Sequence, residues 1–312
     1  MCGIAGIMYK RGSADIGTTM TAMLDSLKHR GPDSTGFALY KPAANGSRDH
    51  FTLWLKWDPP ADDQYGRREY AAAQRSAIVD QVASMGGRVV ASDQPLDYVL
   101  KLDVDYNGEL KTLEDRLESL PGIEIVSLGR SMELIKDVGL AVEVSEHYHL
   151  AGFQGTHAIG HTRMATESAV DISHAHPFWA YPFADIAVVH NGQITNYHKS
   201  RHLLEREGHR FRSHCDSELI AVYIADKLSA GLSLEEALHQ SQKDLDGVYT
   251  YFVCTENEIG MAKDELAAKP LVVMEDDNVV ALASEEVAIR QVFKNEIKSW
   301  DPYDSEVMVW SR

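Results

Sequence analysis

Met1-Cys2-Gly3-Ile4-Ala5-Gly6-Ile7 opens the chain and sets the fold expected for the rest of it. A cysteine directly after the initiator methionine leads into an apolar strand of small residues. Removal of Met1 makes Cys2 the terminus, and an α-amine has an unperturbed pKa of about 7.7 to 8.0, so part of it is free base near neutral pH. One residue then holds both a nucleophile and the base that takes its proton, directly or through a water. Taken alone, a second-position cysteine in an apolar strand is more often inert packing. Its weight comes from the rest of the chain.

The 312 residues, 44% of them hydrophobic, suffice for one large domain or two modest ones with a real core. A net charge of −17 opposes binding to nucleic acid or to anionic membranes. No apolar run reaches the roughly 20 residues that cross a bilayer, and no secretory signal opens the chain, so a cytoplasmic protein is expected. Cys2, Cys215 and Cys254 are an odd set without CxxC spacing, which points to reduced thiols and not to disulfides or a cysteine zinc site.

Apolar residues at Met20, Met23, Leu24 and Leu27 have helical spacing, and the helix ends at the turn His29-Arg30-Gly31-Pro32-Asp33-Ser34-Thr35-Gly36. That turn can hold a cation near a site, although an arginine there is by default a surface residue. From about 58 to 146 the pattern predicts an inserted α+β unit, with a helix near 67–85, several strands, and a short helix after Ser131. It carries no catalytic signature. Ala158 to Arg163 reads as a strand ending in His161-Thr162-Arg163-Met164-Ala165-Thr166. His174-Ala175-His176-Pro177-Phe178 reads as a loop. Asp185 to Val189 reads as a strand that leaves through a turn at His190-Asn191-Gly192, and Ser213-His214-Cys215-Asp216-Ser217-Glu218 as the start of an apolar helix. Structural roles compete at each point: Asn-Gly is a common tight turn, Asp a common helix cap, and loop histidines beside proline are usually solvated or hydrogen-bonded, so no metal site is expected. From Leu232 a helix is followed by hairpin strands, so two stacked sheets with helices on their outer faces satisfy the order of elements.

Taken together, Cys2-Gly3-Ile4, His29-Arg30-Gly31-Pro32-Asp33, His161-Thr162-Arg163, His176-Pro177-Phe178, His190-Asn191-Gly192 and Asp216-Ser217-Glu218 resemble the class II glutamine amidotransferase domain. That family belongs to the N-terminal-nucleophile hydrolases. The resemblance implies an α+β fold, a four-layer αββα sandwich, over residues 1–312, interrupted by the inserted segment at about 58–146. It implies that Cys2 attacks the side-chain amide of glutamine, releasing ammonia and leaving a thioester that water hydrolyses to glutamate. The Asn191 side chain and the Gly192 N–H would hold the oxyanion. Arg163 would clamp the substrate carboxylate and Asp216 its ammonium, with Thr166 lining the pocket and Arg30 supporting the nucleophile's loop. Met164 and Glu167 stand where sugar-phosphate-using relatives carry tryptophan and histidine, and Ala267 stands where they carry glycine.

Fewer than thirty residues follow Ser284, so acceptor chemistry is expected on another chain. The likeness is greatest to stand-alone amidotransferase subunits of glutamate-synthase-like complexes, including N-methylglutamate synthase (methylamine-glutamate N-methyltransferase). This implies synthase-type partner subunits bearing FMN and an iron-sulfur cluster, and no cofactor in this chain. Two other readings compete: a catalytically silent assembly or glutamate-binding subunit of such a complex, and an N-terminal-nucleophile amidase for another small amide, which Arg163 and Asp216 disfavour.

Overall fold

The structure, a computed structural model, describes residues 2–42, 49–58, 64–165 and 171–312. Seven antiparallel strands form one sheet in the order Ser299–Trp300, Val272–Glu275, Val279–Ala283, Gly3–Tyr9, His157–Arg163, Ser34–Tyr40, Met132–Val138. Five more form a second sheet in the order Phe178–Trp179, Ala187–Ile194, Gly247–Cys254, Glu258–Lys263, Val307–Ser311. The helices Ile16–Ser26, Ala141–His147 and Glu286–Val292 pack on the first sheet, and Asp216–Ser229 and Leu234–Asp244 on the second. The two sheets pack against each other through their central strands. This is the four-layer αββα arrangement.

The strand Gly3–Tyr9 lies in the middle of that stack and is buried along Gly3 to Met8. Its small residues explain how both faces stay close. A methyl group on Gly6 would touch Ile259 of the opposite sheet, whereas one on Gly3 would touch Leu27 beyond the helix. An alternating polar face is absent because neither side meets water.

A third, four-stranded antiparallel sheet, in the order Arg88–Leu96, Val99–Asp105, His50–Trp57, Ile123–Gly129, stands beside the first. Helices Gln64–Ser84 and Leu110–Glu118 pack with it, the former through Ala71, Ile78 and Val82 at helical spacing. Of the segment 58–146 expected as an insertion, the part up to Gly129 belongs to this unit, which also takes in His50–Trp57. Met132–Val138 joins the seven-stranded sheet. The helix expected after Ser131 is therefore a strand. Met, Glu, Leu and Lys favour helix locally, but pairing residue for residue with Ser34–Tyr40 outweighs propensity. Glu133 on that strand is 2% exposed and fastens the two sheets, accepting Lys101 at 2.8 Å, the Trp54 indole at 3.1 Å, and Lys41.

The turn at Asn191-Gly192 also proves to be strand: Ala187–Ile194 is continuous, with Asn191 opposite Thr250 and Gly192 opposite Tyr249. The preceding Asp185 stands outside it at φ 64°, where its carboxylate accepts the backbone N–H groups of Arg130, Ser131 and Met132. Ala267 adopts φ 47°, a left-handed conformation that a β-carbon disfavours and that glycine adopts freely.

Glu114, on the helix Leu110–Glu118, is completely buried, and neither carboxylate oxygen has a hydrogen-bond partner among the described residues. Burial pushes its pKa up to about 8, against the pull of Arg212 and with the push of Glu118 and Asp115. Between the ordinary 4.5 and that value the unfolded chain releases a proton that the folded chain keeps. Stability from this group is therefore complete below the lower pKa and is lost as pH rises through the higher one. Glu114→Gln is expected to match the parent near pH 4.5 and to exceed it by on the order of a few kcal/mol near pH 8. Urea unfolding at the two pH values measures this, and an offset that does not change with pH would contradict it.

Candidate active site

Register places Cys2. Because Gly3 pairs with Thr162, the same register carries Cys2 opposite Arg163 and its side chain to the neighbouring Met164. The Cys2 sulfur accepts the Met164 N–H at 3.3 Å and lies 3.7 Å from the Met164 carbonyl. Cys2 is half-buried and lines a cavity of about 760 Å³ together with Arg163, Asn191, Gly192 and Asp216. Five of the seven site residues expected from sequence thus share one wall. Thr166 lies outside the described residues. Arg30 is not among the lining residues; its Nε donates to the Cys2 carbonyl at 2.9 Å and its Nη1 to Glu285 at 2.5 Å. Burial opposes ionisation of Glu285, but the bonds and charges of Arg30 and His29 hold its pKa below the usual value. Arg30 thus braces the Cys2 backbone.

Asn191 approaches the same carbonyl from the other sheet, its Nδ2 donating to Cys2 O at 3.0 Å and lying 3.3 Å from Ser284 Oγ. Ser284 is in turn bonded to Ile4 through both backbone and hydroxyl. Gly192 has φ 139°, and a β-carbon there would lie 2.1 Å from the Val248 carbonyl oxygen. Only glycine lets this strand stay paired while its backbone forms cavity wall.

Asp216 is the first residue of its helix, where the dipole favours a carboxylate. Its Oδ2 accepts the Ile194 N–H at 2.9 Å, and its Oδ1 lies 3.7 Å from His190 Nδ1. Arg163 ends its strand, 6% exposed, against the cavity.

Along this wall the motif residues His176, His190 and Ser217, with His161 beside them, meet in a polar cluster to which the sequence assigned no role. Ser217 Oγ lies 2.7 Å from His176 Nε2 and 2.9 Å from His190 Nδ1, so its hydroxyl can donate to one ring and accept from the other. His161 stacks on His176 with centroids 4.0 Å apart. Burial lowers the pKa of all three, taking His161 down to about 3, with His190 and Arg163 adding to it. Burial thus favours the neutral imidazole in each. Gly36 makes room for them: a β-carbon there would lie 2.0 Å from the His176 carbonyl oxygen. The neighbouring His174 turns elsewhere, to Asp171 at 2.8 Å, so the His-x-His pair does not converge.

A second cysteine lines the cavity. Burial pushes the Cys215 thiol up to about 11, helped by Asp216, and Cys254 is buried in the core with its pKa raised well above normal by burial. Both are poor nucleophiles. Among the described residues, Glu207, His209 and Asp226 could converge on a metal ion, but His209 and Asp226 already bond at 2.8 Å and Lys227 neutralises the latter at 3.1 Å.

A family model described as a glutamine amidotransferase domain matches residues 161–291. The chain is 43% identical over 312 residues to the "Putative glutamine amidotransferase" of Methanothermobacter thermautotrophicus, covering 98% of this chain and 99% of that one. It is 34% identical over 313 residues to the glutamine amidotransferase-like protein GlxB of Rhizobium meliloti, covering 99% and 98%. Among solved structures, the glutamine phosphoribosylpyrophosphate amidotransferase of B. subtilis superposes over 99% of this chain with a TM-score of 0.61 at 18% identity, a likeness of fold. The present chain spans 47% of that protein's length. With a cysteine, an arginine, an asparagine-glycine pair and an aspartate on one cavity of a four-layer sandwich, and with relatives matched from end to end, this chain belongs to the glutamine amidotransferases.

Proposed function

We propose that the chain is a glutaminase subunit that uses Cys2, freed by removal of Met1, to hydrolyse glutamine to glutamate and ammonia. The observation that carries this reading is the convergence of Cys2, Arg163, Asn191, Gly192 and Asp216 on one cavity. Among the described lining residues other than histidine, Arg163 and Asp216 are the charged ones, and an opposed guanidinium and carboxylate suit the α-carboxylate and α-ammonium of an amino acid.

In the proposed sequence the Cys2 α-amine takes the thiol proton, and the sulfur adds to the side-chain amide carbon. The oxygen gains the charge and is held by the Asn191 amide and the Gly192 N–H. Collapse breaks the C–N bond, and ammonia departs with the proton carried by the amine. Water, deprotonated by the same amine, then cleaves the thioester and releases glutamate. Burial, which disfavours charge on His161, His176 and His190, suits this scheme, since it leaves the charges of Arg163 and Asp216 for the substrate.

The acceptor of the nitrogen lies, in this proposal, on partner chains of a glutamate-synthase-like complex of the N-methylglutamate synthase type. An iron-sulfur cluster does not fit the residues of this chain, because among the described residues its cysteines form no group within reach of one ion. The cluster is therefore assigned to the partners, and in this proposal FMN goes with it.

Cys2→Ala is expected to lower glutamate release by at least about a thousandfold while the fold persists, as removal of a nucleophile does. Full activity in that variant would defeat the mechanism, and an intact mass that retains Met1 would favour the silent-subunit reading. Asp216→Asn removes one charge-assisted bond worth roughly 1.5 to 3 kcal/mol, so kcat/KM for glutamine should fall about 10- to 100-fold. An unchanged value would remove Asp216 from substrate binding. Purification of the tagged chain from its native cell, followed by mass spectrometry and flavin absorbance, should recover synthase-type chains with FMN. Recovery of the chain alone would count against the complex.

A further inference from the structure

Lys136 lies on the strand Met132–Val138, 8% exposed, at the wall of a second cavity of about 370 Å³ between the four-stranded unit and the glutamine site. Its ammonium donates to the Ala175 carbonyl at 2.8 Å and sits 4.6 Å from the centre of the Phe178 ring. No carboxylate among the described residues pairs with it, although three carboxylates line the same cavity. Each of those is already engaged. Glu118 binds Arg210 and Arg212 at 3.1 and 3.0 Å, and Glu124 binds Lys56 at 3.0 Å. Glu218 accepts the N–H groups of Arg212 and Ser213, both at 2.7 Å, and the Ser213 hydroxyl. An ammonium has three N–H donors, and here one meets a carbonyl and a ring face takes part of the charge. What remains is a buried cation facing a partly open cleft whose other walls include Ile123, Ile125, Phe178 and Trp179.

We propose that this cavity is a binding site for a small free monocarboxylate with an apolar or aromatic body, its carboxylate on Lys136 and its body against the aromatic and aliphatic wall. Occupancy would reach the glutamine site by two routes. Ala175, which holds Lys136, lies between His174 and His176 of the first cavity, and Ser213 on the wall is three residues before Asp216. The binding claim stands independently of the glutaminase reading; only the coupling rests on it.

Burial lowers the Lys136 pKa to about 8; Glu124, Glu218 and Cys215 act to raise it and Lys56 to lower it, and the neutral His176 ring is nearby. A carboxylate stabilises the ammonium, so its binding is complete below that pKa and weakens as pH rises above it. The test uses the full chain with benzoate as probe and benzamide as its uncharged counterpart, followed by calorimetric titration and by the lysine Nζ resonance in NMR. Benzoate is expected to bind saturably, at least about tenfold more tightly than benzamide, and about tenfold more weakly near pH 9 than near pH 7. Lys136→Met should abolish binding, and benzoate should change the KM for glutamine in the parent only. Equal binding of benzamide, a flat pH profile, or unaltered binding in Lys136→Met would overturn the assignment. Should Lys136→Met fail to fold, the benzamide comparison and the pH profile of the parent decide the question alone. A benzoate site without any effect on KM would leave the site and remove the coupling.

Discussion

Backbone pairing on the two sides of one short strand fixes where the reactive atoms lie. Gly3 opposite Thr162 brings Cys2 to Arg163 and Met164, and Ala5 opposite Ala283 brings Ile4 to Ser284. From there Glu285 holds Arg30, and Arg30 holds the Cys2 carbonyl. A one-residue slip in either register would turn every side chain of the strand to the other face and separate these groups. Burial of Gly3 to Met8 on both faces is what forbids the slip.

The second sheet contributes the complementary half of the site by the same means. Its strand Ala187–Ile194 presents Asn191 and Gly192 from within a ladder, so both residues stand on a rigid element and not on a flexible turn. Ile194 then holds Asp216 at the start of the following helix, and Ser217 ties that helix to His176 and His190. A hydroxyl shared by two neutral rings satisfies buried polar atoms without adding charge. Burial disfavours charge on both rings, so neither competes with the arginine or the aspartate.

The four-stranded unit is joined to this core through polar groups as well as apolar ones. Glu133 gathers Lys41, Lys101 and Trp54 on one side. On the other, Arg212 stacks on Trp179 and Tyr181 at 4.8 and 4.6 Å and pairs with Glu118. Buried ion pairs add little net stability but hold a defined geometry, because breaking one leaves a desolvated charge. The loop from Arg210 to Ser213 thus connects this unit to Asp216, and changes at one have a short path to the other.

Much of this was legible in the chain. The motifs named residues that the fold brings to one cavity, a thiol, a guanidinium, a carboxylate and an amide beside a glycine. Alternation and turn residues gave the order of strands and helices, and with it the layered sandwich. Pairing partners were not legible, since hydrogen bonds between strands join residues far apart in sequence. For that reason Asn191-Gly192 read as a turn and Met132–Val138 as a helix, when ladders with Gly247–Cys254 and Ser34–Tyr40 make both strands. The roles of Ser217, Glu285 and Lys136 likewise depend on what surrounds them after folding. Sequence determined which chemistry is present; tertiary structure decided what is buried, what is neutral and what faces a cavity, because desolvation and distance exist only once the chain is packed.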